Sequence, residues 1–404
     1  MKNKYFLKTL ALSFVPLIMV LGNSMLIPVF TDIKRELGIN QLQASLLISY
    51  FSYAAALCIP FLGFLSDRIG RKKILIPSLM IYGIGGGISG LSSIFSSDPY
   101  SLILVGRIIQ GIGAAGTSPI AMAMISDMFT DTERSKALGM IEASNGIGKI
   151  ISPILGSLIA VIAWYLIFFS YSILTIPAAV LIWYIIKEEG SHGEQKPLGI
   201  YFKEIHSLVG KKGLSIVLCF LTAFIGLFAL YGILSNITDF LHIGNKSKLI
   251  HKGFIVAFPL LLMSIFSFWS GAYLKKKVYL FKKSVVISLL LCSLAIFLIP
   301  RLASFPQRMM IVVVISIAVG VVLTCLNTLV TSSVPPGKRG VITAFYNSFR
   351  FLGIASGPVF FSNPSVFRGK AIILAVLIIF LSLLFHLFVK SEELLEYFST
   401  KKNI

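Results

Sequence analysis

Long apolar runs, broken by short polar and basic clusters, dominate the chain. They fall at about 8–30, 43–64, 74–94, 100–126, 137–159, 162–186, 213–236, 251–273, 284–300, 308–332, 341–362 and 370–390. Each approaches the roughly 20 residues a helix needs to cross a hydrocarbon layer of ~30 Å. The pattern predicts an all-α membrane protein with twelve spans. Six precede the polar segment 187–212 and six follow it. That segment, with Glu188, Glu189, His192, Glu194 and Lys196, reads as a solvated linker. The expected organisation is therefore a six-helix bundle over 1–186, a cytoplasmic linker over 187–212 and a second six-helix bundle over 213–404. The first run is too long for a signal-peptide core and no small-residue cleavage site follows it, so it reads as a retained span.

Composition agrees. Of 404 residues, 56% are hydrophobic and 13% charged, about half the usual charge of a soluble protein. A soluble enzyme or a nucleic-acid-binding protein is excluded on that ground. The net charge of +20 reflects basic clusters between spans, not a nucleic-acid surface. With the N-terminus inside, most of the 36 Lys and Arg residues fall in cytoplasmic loops and tails, which puts both termini in the cytoplasm of a cell-membrane protein. That basic face is suited to anionic membrane lipids. The four cysteines, Cys58, Cys219, Cys292 and Cys325, lie in apolar runs and form no CxxC pair, so neither a disulfide framework nor a metal site is expected.

The two halves repeat weakly. Arg134, Gly148 and Pro153 recur at one offset of 205 as Arg339, Gly353 and Pro358. Thr31-Asp32 matches Thr238-Asp239, and Gly63 matches Gly271, at similar offsets. Parallel repeats of this kind enclose a midplane site and rock around it.

The loop between spans 2 and 3 reads Gly63-Phe-Leu-Ser-Asp67-Arg68-Ile-Gly70-Arg71-Lys72-Lys73. Charge alone makes it a positive-inside loop, but its spacing resembles the G-x-L-x-D-R-x-G-R-K-x signature of the major facilitator superfamily at every signature position. Span 4 carries Arg107-Ile-Ile-Gln110-Gly111-Ile-Gly113-Ala114-Ala115, similar to the family's R-x-x-Q-G-x-G-A-A. Span 5 carries Gly148, then Ser152-Pro153-Ile154-Leu155-Gly156, which resembles the drug:proton antiporter signature G-x-x-x-G-P-x-x-G-G. It departs from that signature at Ser152 and Ser157, so support for an antiporter is partial. At this level the chain also resembles bacterial multidrug and siderophore exporters. The resemblance implies twelve spans in two pseudo-symmetric bundles, proton-coupled efflux of a small molecule, a single functional chain, and no cofactor, nucleic acid or enzymatic step. A proton-coupled uptake symporter of the same fold, or a sensor without flux, stays open as an alternative. A membrane acyltransferase does not, because none of the five histidines has an Asp at the fourth or fifth following position. The run Gly111 to Gly116 satisfies G-x-G-x-x-G but lies inside an apolar span, where small residues let helices pack closely.

Ionisable residues inside spans are costly and usually functional. Arg107 lies roughly 10 Å from the outer end of span 4. The resemblance associates it with proton coupling; a structural pin between spans is the plainer reading. Glu142, the one acid clearly within a span, is the candidate proton carrier, with the plainer reading a fixed pair with Lys149 or a residue near the cytoplasmic headgroups. Asn145 and Lys149 follow on its face of span 5. Arg350 in span 11, equivalent to Asn145 by the offset, is the candidate anion ligand, unless it pairs with Glu142. Asn23, Tyr231 and Asn327 complete the substrate-binding set, with Tyr53, Asn236, Asn347, Phe224 and Phe228 as further lining candidates. Three cations against one anion within the spans favour an anionic or polar amphipathic solute, such as a catecholate-type siderophore, over a lipophilic cation. Asp32 and Asp239 read as boundary residues. Gly63, Asp67, Arg68, Gly70, Arg71, Asp127 and Arg134 form the expected conformational latch; by the resemblance, Asp127 pairs with Arg71.

Overall fold

The computed structural model describes residues 2–129, 131–186, 198–237, 249–274, 277, 279–335 and 339–395. Regular structure there is helical: α1 (Lys2–Ser24), α2 (Phe30–Leu37), α3 (Gln41–Ile69), α4 (Arg71–Phe95), α5 (Pro99–Ala115), α6 (Ser118–Met128), α7 (Asp131–Ile162), α8 (Leu166–Ile185), α9 (Leu198–Ile237), α10 (Leu249–Leu274), α11 (Leu280–Leu298), α12 (Phe305–Ser332), α13 (Arg339–Phe361), α14 (Pro364–Phe388) and α15 (Ser391–Leu394). Hydrocarbon offers no hydrogen bonds, so a spanning backbone must satisfy its own groups as a helix.

Two spans are broken. The first is α1 and α2 joined by a 3-10 turn, Ile27–Val29, with Pro28 at the break. The fourth is α5 and α6, interrupted at Gly116–Thr117 just before Pro119. Proline lacks the N–H that would continue the ladder and restrains the residue before it. Helix ends are capped where sequence permits. Gly38, at φ 64°, ends α2, and Asn40 and Gln43 form a reciprocal capping box on α3 at 2.9 Å each way.

Eleven helical segments among the described residues are long and apolar enough to cross a membrane. The twelfth expected span, α13, has the length but not the apolar character, because Asn347 and Arg350 interrupt it. Of the expected linker, residues 187–197 lie outside the described residues, and the backbone of 198–212 is helix continuous with the seventh span, so α9 runs for 40 residues. Thr238 and Asp239 also lie outside the described residues.

Backbone proximity divides the chain into two compact units: Met1–Gln195 with Leu241–Phe258, and Lys196–Phe240 with Pro259–Ile404. In the first, α1 packs on α7, and α4 lies between α5 and α8. In the second, α9 packs on α13, and α11 lies between α12 and α14. These pairings are the same under the repeat. Matched glycines carry them: the Cα of Gly148 lies against Leu17 of α1, and that of Gly353 against Phe224 of α9. Large apolar side chains such as Leu57, Phe61, Ile173, Trp183 and Phe268 are exposed, as a hydrocarbon solvent demands.

Close approach is tightest around α4. A Cβ on Gly85 would stand 2.6 Å from the Gly106 carbonyl, and one on Gly113 would meet the same distance from the Ser78 carbonyl. Both obstacles are backbone and cannot swing aside. Gly113→Val should therefore lower the melting temperature of the purified protein, with a cost of about 1–3 kcal/mol or more. Gly139→Ala, with open space around the new methyl, should leave it unchanged. Thermal unfolding in detergent measures both.

Candidate functional site: a buried guanidinium and a charged turn

Arg107, in the third turn of α5, has no exposed surface. Three neutral acceptors hold it. Nε donates to the Leu47 carbonyl of α3 at 2.8 Å, Nη1 to Gln110 Oε1 at 2.6 Å, and Nη2 to Asn23 Oδ1 of α1 at 2.7 Å. Asn23 is oriented in turn by donating to Ser52 Oγ at 2.9 Å. The Phe51 ring lies under the guanidinium, 4.4 Å from centroid to Cζ, and contributes attraction without taking up a donor. Tyr82 and Tyr171 pack edge-on beside it and donate back to α1, to the carbonyls of Ile18 and Leu21. Among the described residues Arg107 forms no ion pair. A fixed positive charge therefore sits inside the first unit, solvated by dipoles alone.

The turn between α3 and α4 assembles a second cluster. Gly70 adopts φ 116°, a region L side chains rarely enter, and is buried. The turn lets Arg71 reach back to Asp67 in an ion pair and to Ser66 Oγ at 2.9 Å. Arg71 Nε also bonds Asp127 Oδ2 at the end of α6, at 3.1 Å. Lys72 places its ammonium 2.7 Å from the carbonyls of Trp183 and Ile186, at the C-terminal end of α8, where the helix dipole favours a cation. Of the expected latch residues, Asp67, Gly70, Arg71 and Asp127 come together. Gly63 lies one turn earlier on α3, its carbonyl accepting from Ser66. Arg68 is exposed and Arg134 half-buried, and neither forms an ion pair among the described residues.

The remaining candidates scatter. Glu142 is exposed on α7 and, within the first unit, has no ion pair with Lys149. Asn145 is half-buried with its Oδ1 unbonded, and Lys149 is half-buried. In the second unit, Arg350 is half-buried, donates to Asn347 Oδ1 at 2.9 Å and lies 5.6 Å from the Tyr346 ring. Tyr231 is buried and Asn327 exposed. Asn236 is turned to the backbone, donating to the Phe361 carbonyl at 3.0 Å. Phe224 and Phe228 stack on each other at 5.8 Å. Asn23, a substrate-lining candidate by sequence, is committed to Arg107 instead. Asp32 is more than a boundary residue, because its Oδ2 is buried 3.8 Å from Lys252 Nζ. Sequence reasoning passed over Lys252 as a span end, although a lysine one residue inside an apolar run was the available signal.

A family description, the Major Facilitator Superfamily, matches residues 12–358. The chain belongs to the Major Facilitator Superfamily. It is a multi-pass membrane transporter, not an enzyme, and its substrate is a small molecule. Over 87% of its length, and 88% of the other protein, it is 36% identical to the "Bacillibactin exporter" of Bacillus subtilis. It is 33% identical over 46% of its length, and 45% of the other, to "Multidrug resistance protein 2" of the same organism. In fold it matches a bacterial homologue of the human lysosomal transporter Spinster in an inward-facing, unoccupied conformation, with TM-score 0.74 at 16% identity over 98% of this chain and 99% of that one.

Arg107→Met should strand the acceptors on Asn23, Gln110 and Leu47. Each orphaned buried group costs about 1–3 kcal/mol, so a clear fall in melting temperature is expected. Asp127→Asn, at an ion pair that is partly exposed, should change stability by no more than about 1 kcal/mol. The same unfolding measurement distinguishes a buried requirement from a surface one.

Proposed function

We propose that this transporter exports a small anionic or polar amphipathic solute, of the catecholate-siderophore type, across the cell membrane in exchange for protons. The observation that carries the reading is the near full-length kinship with a protein named as a bacillibactin exporter. Local chemistry supports the anion. Arg350 is half-buried beside Asn347 and Tyr346, and a planar guanidinium suits an oxygen-rich anion better than an ammonium does. Lys149 and the unbonded Asn145 Oδ1 add a cation and an acceptor on α7.

In this reading Glu142 carries the proton. It is exposed and, among the described residues of its own unit, not tied in an ion pair, so a proton reaches it without first breaking such a pair. Arg107 supplies a fixed positive field and is not itself the carrier, because its three bonds are to groups that do not titrate. Arg350, Asn145, Lys149, Tyr231 and Asn327 bind the solute, and Asn23 acts through Arg107. The halves 1–186 and 213–404 alternate access to a midplane site. The Asp67–Arg71–Asp127 cluster makes and breaks at the cytoplasmic face, where both termini lie. A single chain, embedded in lipid, suffices.

The test uses inside-out vesicles with an acid-inside gradient, adding in turn bacillibactin, a lipophilic cation and a neutral antibiotic. Bacillibactin should collapse the gradient, and Glu142→Gln should abolish the collapse. Arg350→Ala should raise the bacillibactin KM by about tenfold or more, the worth of one charged hydrogen bond. Collapse by the lipophilic cation alone would overturn the anionic assignment.

A further inference from the structure

Two residues about 220 positions apart meet at the junction of α2 and α10. Asp32 Oδ1 accepts from Arg35 at 3.5 Å on the exposed side. Asp32 Oδ2 is buried, has no hydrogen bond, and lies 3.8 Å from Lys252 Nζ. Lys252 is 1% exposed, and Asp32 is its one ion-pair partner among the described residues. The hydroxyls of Thr31 and Ser157 are also buried and unbonded. The next residue, Gly253, lets α10 touch α7 so closely that a Cβ there would stand 2.6 Å from Ser157 Oγ and 2.8 Å from the Pro153 carbonyl. The first turns of α10, through Phe258, belong with the first unit, and the division falls at Pro259, the proline inside this helix. An ion pair beyond hydrogen-bond length ties α10 to α2, and the fit of the same segment against α7 depends on the missing side chain of Gly253.

We propose that Asp32 and Lys252 form a proton-sensitive latch that docks residues 249–258 of α10 on the first unit and releases them when Asp32 is neutralised. This goes beyond the exporter reading and needs no solute. The physical basis is the cost of a buried ammonium without a counter-charge. Lys252 then has to reach water, and it can do so only if the first turns of α10, whose Gly253 lies tight against Ser157, move away. Among the described residues, the charges facing Asp32 are Arg35 on its own helix, itself bonded to Glu36, and Lys252 on α10, with exposed His251 beside it. Residues 41–48 of α3 and 151–162 of α7 contain no titratable side chain.

The test is maleimide labelling of Ser157→Cys in purified full-length protein carrying Cys58→Ser and His251→Gln. Rates are normalised to Ser97→Cys, exposed in the turn between α4 and α5. Ser157→Cys should be protected at neutral pH and label faster as the pH falls. Adding Asp32→Asn should speed labelling on the order of tenfold at every pH. Adding Lys252→Met to Asp32→Asn should restore protection, because the uncompensated cation is gone; Asp32→Glu should stay protected at neutral pH. Protection that persists in Asp32→Asn overturns the latch. So does labelling that Lys252→Met fails to reverse, which would mark a loosened fold. A rate indifferent to pH with Asp32 intact overturns proton sensitivity.

Discussion

A guanidinium with no exposed surface must find all its solvation inside the protein. Arg107 does so by drawing α1, α3 and α5 to one point, through Asn23, Leu47 and Gln110, with Phe51 beneath and Tyr82 and Tyr171 alongside. Those contacts exist only because neighbouring backbones approach without side chains between them. Gly85 and Gly106 bring α4 and α5 together, Gly111 brings α5 to α3, and Gly113 again meets α4. The small residues and the buried cation are thus parts of one arrangement. The glycines remove the distance that Arg107 could not otherwise bridge, and Arg107 repays the loss of apolar side chains with three charge-assisted hydrogen bonds.

The repeat reproduces this packing but not its chemistry. Gly111 against Phe51 in the first unit has its counterpart in Gly320 against Met263 in the second. By the same spacing the place of Arg107 is taken by Ser316, whose hydroxyl merely bonds its own helix at Val312. Aromatic rings fill the second unit instead: Phe220 on Tyr346 and Phe349, and Phe228 on Phe360 and Phe361. One unit holds a fixed interior charge, while the other offers a half-buried Arg350 beside an aromatic ring.

Features that depend on neighbours in sequence were legible at once. The turn from Gly63 to Lys73 is local, so its signature could be read from spacing, while the positive φ of Gly70 and the Asp67–Arg71 pair came with the structure. Apolar runs fixed the helices, and prolines at 28 and 119 account for the breaks in spans 1 and 4. The polar segment 187–212 was read for its charge, and charge alone does not say whether a backbone is helical, as that of 198–212 is.

Sequence by itself determined the class of the molecule: a chain this apolar, with charge only between runs, has no soluble way to fold, and each run must be a helix. It also marked Arg107, because a cation inside such a run cannot be accidental. The tertiary structure alone decided what these charges touch. Asn23 solvates Arg107 and does not stand free; Glu142 is left open; Lys252 crosses to Asp32 from a helix more than 200 residues away. Helical periodicity says which face a side chain shares with its own neighbours. It is silent about which other helix supplies the partner, because that depends on packing between elements that close approach of their glycines permits.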